Sequence, residues 1–478
     1  MTADDHVETS PLLGRRSVHK PPKHRTRILF LVCVLIVTVD FGSYLSIAPQ
    51  TQLLETIICR RLGQAPHPET LPDAPDGSPC KSLPVQSELA LINGWKDTLD
   101  ALPGIVLALP YGFMADRIGR KKVALMSICG LLMEEMAVRL IYWYSEYIPP
   151  RAIWFTPLFQ IYGGGTQVVT SMVFTVIADI YSVEERANIF FIVSAAILLA
   201  EILATPLSAW MMARSLWAPF LLGGVCEVCG VLAGLGIPET LPSTMDSSDE
   251  EANEDSDAPS ESPSWRDRLR HAWGQLSHLT TYIWGSRNSL AISVAFLTAS
   301  VGRQALQLML QYVSKRFSWS MAEASFLISL KGCINLVGLL VLLPLVSRWL
   351  RRYLSAVTMD LRLTQASGAI LVIGFAIMAL AGRPAVFALG VSLSALGWGF
   401  YSTLRSVASA LVDESQNGIL NTTIGLMQGV GIMTAGPLLA SAFRYGMSLE
   451  GVWLGLPYMV GTGLLFIAGC ATWVIRVG

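Results

Sequence analysis

The sequence predicts an all-α membrane protein, with twelve transmembrane helices in two pseudo-symmetric six-helix bundles. Three observations predict it. Of 478 residues, 52% are hydrophobic and only 14% charged, against about 25% charged in a soluble domain. The apolar residues gather into runs close to the roughly 20 residues that cross a hydrocarbon core of ~30 Å. One acidic stretch divides those runs six and six, and the second set repeats features of the first.

The runs fall at about 28–48, 91–113, 123–143, 153–177, 187–211, 217–237, 289–312, 323–346, 363–381, 385–411, 419–442 and 452–474. The first is too long for a signal-peptide core and no small-residue cleavage site follows it, so it reads as a retained helix. Several runs contain Gly and Pro, which membrane helices tolerate. Residues 1–27 form a tail with six basic residues: Arg15, Arg16, Lys20, Lys23, Arg25 and Arg27. Short segments on the tail's side carry sixteen Lys and Arg against nine in the opposite loops. That bias places both termini in the cytosol.

Residues 49–90 are expected to form a long, Pro-rich outer loop containing Cys59 and Cys80. An outer loop is oxidising territory, so these two are candidates for a disulfide. Eight cysteines in all are too few for a disulfide scaffold. Residues 238–288 are expected to form a cytosolic linker, with eight acids and no base from Asp246 to Glu261. Such a stretch cannot bury enough apolar surface to fold. After it, Trp265, Leu269, Ala272, Trp273 and Leu276 fall at helical spacing, as in a short helix lying on the membrane interface. The bundles are then 28–237 and 289–478. At an offset of 234 residues, Pro110 matches Pro344, Arg117 matches Arg351, Gly163 and Gly165 match Gly397 and Gly399, and Asp179 matches Asp413. These matches point to parallel repeats with a substrate site near mid-bilayer between them.

The stretch Gly112 to Leu125, GFMADRIGRKKVAL, joins the second and third runs. Positive-inside charge explains its basic residues but not the ordered Gly, Asp and Gly. It resembles the signature loop of the major facilitator superfamily, G-x-L-A-D-R-x-G-R-K-x-x-x-L, with Met114 in place of Leu. The second half holds a degraded copy, with Leu350 where the Asp stands. The wording IICRRL, CKSLPVQSELALINGW and ALPYGFMADRIGR is similar to fungal twelve-helix drug and secondary-metabolite exporters. It also has some likeness to the proton-coupled folate transporter group. The resemblance implies a secondary transporter, not an enzyme. It also implies a latch of cytosolic charges around Gly112, Gly119, Asp116, Arg117, Arg120 and Lys121. By resemblance these pair with Asp179, with Glu184 and Arg186 close by, and Arg351 or Arg352 pairs with Asp413 in the second half. Exporting members often carry G-P-x-x-G-G in the fifth helix. Here Thr205-Pro206-Leu207-Ser208-Ala209-Trp210 keeps the proline and loses the glycines.

An ionisable side chain in mid-membrane costs a few kcal/mol on insertion scales and is by default a functional candidate. Asp40 lies in the first run, Glu134, Glu135 and Arg139 in the third, Glu201 in the fifth, Glu227 in the sixth, Arg303 in the seventh, Lys331 in the eighth and Arg405 in the tenth. Desolvation disfavours the charged form of a carboxylate, which suits Asp40 and Glu201 to exchange protons. The competing reading is an ion pair of Asp40 with Arg303 or Lys331. Glu135 and Arg139, one turn apart, are expected to neutralise each other. Cys226 and Cys229 flank Glu227 on a membrane helix, where no metal site is expected.

Gln160, Gln167 and Ser171 share a face of the fourth run. Arg303, Gln307 and Gln311 recur every four residues in the seventh, and Ser394, Trp398, Tyr401, Ser402 and Arg405 share a face of the tenth. The candidate substrate contacts are Gln167, Arg303, Gln307, Trp398, Tyr401 and Arg405, since rings beside a few polar groups suit a bulky, partly apolar molecule.

The expected function is proton-coupled efflux of a small apolar organic compound. Uptake of an anionic nutrient and a non-transporting sensor are the alternatives. No cofactor is expected beyond the proton gradient. The expected partners are a small-molecule substrate, protons and the lipid bilayer. A net charge of −1 offers nothing to nucleic acid. The chain is expected to act as a monomer, in the plasma membrane rather than a vacuole, although Glu8 to Leu13 reads as an acidic dileucine sorting pattern.

Overall fold

The computed structural model describes residues 25–63, 79–181, 183–239, 285–412 and 417–476. The tail before residue 25, the dileucine pattern, the acidic linker with its expected interfacial helix, and Asp413 lie outside the described residues. So do the side chains of Asp116, Glu184 and Arg186.

The described residues form helices joined by short turns, with no strand among them. The first half holds α1 (Arg25–Arg61), α2 (Leu83–Ile118), α3 (Arg120–Trp143), a 3₁₀ stretch (Pro150–Tyr162) leading into α4 (Gly165–Ile180), α5 (Val183–Met212) and α6 (Trp217–Leu235). The second half holds α7 (Arg287–Arg303), a 3₁₀ stretch (Gln304–Leu308), α8 (Met309–Phe317) and α9 (Met321–Val337), then a π segment (Gly338–Leu342) and α10 (Leu343–Leu350). It closes with α11 (Ala356–Leu380), α12 (Pro384–Leu396), α13 (Gly399–Ala410), α14 (Asn417–Leu449) and α15 (Leu456–Val474). Local chemistry fixes several starts. Ser320 and Glu323 form a reciprocal capping box on α9, and the Ser286 hydroxyl accepts from the Ser289 N–H at the head of α7.

Nine helices among the described residues are long and apolar enough to cross a membrane. The three remaining expected spans lie in α2, α3 and the 3₁₀–α4 segment. They are helical, but α2 and α3 carry internal charges and α4 is interrupted by glycine.

The expected loop at 49–90 is corrected. α1 continues to Arg61 and α2 begins at Leu83. The polar residues that ended the apolar run, among them Thr51 and Glu55, are on helical turns that face other helices rather than solvent. Cys59, in the last turn of α1, and Cys80, just before α2, are joined in a disulfide.

The repeat is visible in the backbone. The fourth span of the first half breaks at Gly163–Gly165, where Gly164 and Gly165 take φ of +82° and +72°, a conformation open to glycine at no steric cost. The tenth span breaks at the matching Gly397 and Gly399, between α12 and α13.

Packing differs between the halves. The second has one continuous apolar core, including a ring cluster of Tyr312, Phe387, Phe443 and Tyr458. The first has two main cores. One lies around Leu54, Ile58, Tyr142 and Phe220, the other around Val32, Leu35, Ile177 and Val193. Polar side chains fill the layer between them. The halves meet along α2 with α14 and α5 with α9. The segment ends Arg25 and Glu185 pair at 2.5 Å, and Asn288 bonds the Arg476 carbonyl at 3.0 Å.

Candidate functional site

The layer between the two cores of the first half contains a cavity of about 360 Å³. α1 brings Asp40 to it, α2 brings Lys96 and Asp100, and α3 brings Glu134 and Glu135. The 3₁₀ stretch brings Gln160, and α6 brings Glu227. Lys96 Nζ lies 2.5 Å from Asp100 Oδ2 and 3.1 Å from Glu134 Oε1. Gln160 Nε2 donates to Glu134 Oε2 at 2.5 Å. Arg139 reaches Glu135 at 3.0 Å and Glu227 at 3.4 Å, and donates to the Ser46 hydroxyl and the Phe220 carbonyl, each at 3.2 Å. The pairing of Glu135 with Arg139 is thus present, extended to Glu227. Charges taken out of water need this dense pairing to persist.

Asp40 is half-buried on the cavity wall. It forms no salt bridge among the described residues, and neither expected partner reaches it. Lys331 pairs instead with Glu201, at 2.9 Å across the α5–α9 contact, where Glu201 is 2% exposed. One turn on, Thr205 bonds Ser329 across the same contact. Glu201 therefore stands as one member of an inter-half ion pair. Arg303 lies over the rings of Tyr401 and Trp398, at 4.8 and 5.4 Å from their centroids, close enough for cation–π attraction. The Tyr401 hydroxyl donates to the Ala299 carbonyl at 2.9 Å.

The structure thus joins three of the six candidate substrate residues. Gln307 is exposed in the 3₁₀ stretch and lines a small cleft with Asp97 and Thr51. Arg405 is exposed one turn beyond Tyr401 and forms no ion pair among the described residues. Gln167 is exposed on α4, against Gly104 of α2, and makes no hydrogen bond to the Arg303 cluster. The four-residue stripe of the seventh span does not hold. The 3₁₀ turn rotates Gln311 away, so that it is 2% exposed and donates to the Gln86 carbonyl at 2.7 Å.

At the end of the molecule nearest Arg25, Arg120 pairs with Asp179. Both belong to the first half. Gly119 links α2 to α3 at φ +108°, and a Cβ there would lie 2.2 Å from Glu239. Glu239 Oε1 accepts from the Arg120 and Lys121 backbone N–H at 2.9 and 3.4 Å, a carboxylate at a helix N-terminus. Lys121 Nζ donates to the Leu235 carbonyl at 2.8 Å. Gly112 has open space around it, and Arg117 and Arg351 are exposed.

At the opposite end the halves are joined. Lys81 Nζ lies 2.7 Å from buried Glu55 and donates to the Ser314 hydroxyl at 2.6 Å, while Lys315 donates to the Lys81 carbonyl.

Sequence reasoning missed Lys96 and Asp100, although both fall inside an expected span one turn apart. It missed Glu55 and Lys81 because both were assigned to a loop.

Two helical halves that meet along paired helices, with nine described helices apolar enough to cross a membrane and paired charges buried between them, are the architecture of a membrane carrier. The chain belongs to the major facilitator superfamily, whose model matches residues 83–436. It is therefore a multi-pass integral membrane transporter and not an enzyme. Among curated relatives, the efflux pump ustT of Aspergillus flavus is 32% identical over 91% of this chain and 85% of its own. The efflux pump atnC of Emericella nidulans is 32% identical over 92% and 85%. Among solved structures, the human organic anion transporter MFSD10 superposes with a TM-score of 0.61 at 16% identity, covering 95% of this chain and 100% of that one. The Escherichia coli xylose transporter XylE gives 0.62 at 12%, covering 94% and 97%.

Proposed function

We propose that this protein exports a small, largely apolar organic compound, of the drug or secondary-metabolite kind, in exchange for protons. The observation that carries the direction is similarity along nearly the whole chain to fungal proteins named efflux pumps. Asp40 exchanges the proton. It lies on the cavity wall with no ion pair among the described residues, so its charge is free to change without leaving a buried partner behind. Glu201 acts with Lys331, changing partner as α5 and α9 shift. Arg303, Trp398 and Tyr401 form one wall of the substrate path, with Gln167, Gln307 and Arg405 along it. The chain works as a monomer with twelve spans in the plasma membrane and both termini in the cytosol. The disulfide joining Cys59 to Cys80 then lies outside. Arg120 and Asp179, with Gly112, Asp116, Arg117, Gly119, Lys121, Arg186, Arg351 and Asp413, make the cytosolic latch.

The alternative, uptake of an anion, needs Arg303, Lys331 and Arg405 together. Pairing of Lys331 with Glu201 removes one of the three.

Proton movement in sealed vesicles containing the purified protein tests the reading. An imposed pH gradient is combined with a panel of candidate compounds, wild type beside Asp40→Asn. Substrate-dependent proton flux opposite to the compound, lost in the variant, is the expected result. Flux in the same direction as the compound replaces export with uptake, and transport indifferent to the gradient removes proton coupling.

A further inference from the structure

The first-half cavity has a chemistry that the Arg303 cluster lacks. Among the described residues, five carboxyl groups (Asp40, Asp100, Glu134, Glu135 and Glu227) face it, and two cations, Lys96 and Arg139, stand against them. Neither cation projects free, since each is held between two carboxylates.

The unsatisfied atoms at the cavity are all of one kind. Asp100 Oδ1, Gln160 Oε1 and Glu227 Oε2 are buried acceptors without a hydrogen-bond partner. Gln160 and Glu227 are 3% and 4% exposed. A buried acceptor left unpaired is costly, and a ligand that supplies donors there recovers the cost. The remaining wall is apolar, with Val39, Leu132, Val169, Val173, Phe174 and Ile197. Thr166 and Thr170, exposed on α4, also line it.

We propose that this cavity is a binding site for a protonated amine carried on an apolar body. The ammonium sits against Asp40 and the free oxygens of Glu227 and Gln160, and the body lies against Val173 and Phe174. Such a ligand brings both the positive charge and the N–H donors that the site lacks. A carboxylate brings neither. The inference deepens the export reading by naming a class of compound for it.

The test is equilibrium binding to the full-length protein in detergent, by titration calorimetry near neutral pH. The probes share one body and differ at the head: 4-phenylbutylamine, 4-phenylbutan-1-ol and 4-phenylbutyrate. The amine is protonated there, as an alkylamine of the lysine kind. The expected result is binding of the amine at least about tenfold tighter than the alcohol, with the carboxylate weakest. Asp40→Asn and Glu227→Gln each weaken the amine by about tenfold or more, and Arg151→Ala, at the exposed pair with Glu88, leaves it unchanged. A ranking led by the carboxylate, equal binding of all three heads, or no binding of any overturns the inference. So does loss of amine binding in Arg303→Ala with none in Asp40→Asn. Should a carboxyl variant fail to fold, the head-group ranking on the wild type alone decides. Binding in detergent has no gradient and no direction. A protein that fails as a proton-coupled exporter still passes or fails this test on its own. An exporter of uncharged compounds fails it while the export reading stands.

Discussion

Arg139 shows how much a single side chain holds in the first half. It is 5% exposed, and its guanidinium meets Glu135, Glu227, Ser46 and the Phe220 carbonyl at 3.0 to 3.4 Å. Its Cζ also lies over the Phe220 ring, 4.8 Å from the centroid, and lysine cannot replace a planar fork that serves several partners at once. Arg139→Met keeps most of the volume and leaves two carboxylates facing each other without a cation. Removing one partner of a buried charge pair costs about 3–5 kcal/mol. The variant is expected to melt well below wild type in detergent. Neutralising both acids as well, in Arg139→Met/Glu135→Gln/Glu227→Gln, recovers most of the loss. If the single variant melts with wild type, the network is not holding α3 to α6. The sequence made the Glu135–Arg139 half of this arrangement legible, because a spacing of four residues is a fixed distance on a helix. Glu227 was visible only as an isolated acid, since nothing in the chain states which face α6 turns toward α3.

Among the elements, α2 and α14 run past each other with glycines at the crossing. A Cβ on Gly436 would lie 1.9 Å from the Gly94 carbonyl oxygen, and one on Gly429 would meet Ile105 at 2.8 Å. Thr98 donates to the Met433 carbonyl at 2.9 Å between these points. Further along, Gly112 and Gly425 have nothing within 4 Å. The two helices are thus in contact from Gly94 to Ile105 of α2, while a methyl group at Gly112 or Gly425 meets open space. Adding a methyl group at a packed contact costs about 1–3 kcal/mol, and adding one in open space stays within about 0.5 kcal/mol. Gly436→Ala is therefore expected to lower the melting temperature measurably, and Gly112→Ala to leave it near wild type. The reverse order would mean that the α2–α14 contact at Gly436 is not held in solution. The repeat glycines at 163, 165, 397 and 399 were legible because few positions need a residue without a Cβ. The turns of α1 beyond residue 48 were not, because polar side chains that face another helix look the same in sequence as those that face water.

At the scale of the whole molecule, a polar cluster ties the two halves at one end, beside the contact of α2 with α14. Glu55 on α1 and Lys81 before α2 form the centre, and Ser314, Lys315 and Gln311 on α8 complete it from the second half. Cys59 lies one helical turn after Glu55, and Cys80 directly precedes Lys81, so the disulfide and the ion pair tie the same two segments. Two states that exchange in a transporter differ by a few kcal/mol, and a hydrogen bond to a charged group contributes about 1.5–3 kcal/mol. Lys81→Ala removes the cation from Glu55 and one link to Ser314. It is expected to move the balance toward the state open at this end by about tenfold, as each 1.4 kcal/mol is a factor of ten. Gln311 reports it, being 2% exposed when the end is closed. With the unpaired cysteines replaced and the Cys59–Cys80 bond kept, Gln311→Cys is labelled slowly by a charged thiol reagent. Adding Lys81→Ala raises the labelling rate about tenfold, and adding Lys81→Arg, which keeps the charge beside Glu55, raises it much less. Equal rates in all three backgrounds would mean that the packing of α2 on α14 around Gly94 and Gly436 closes this end, with the ion pair a passenger.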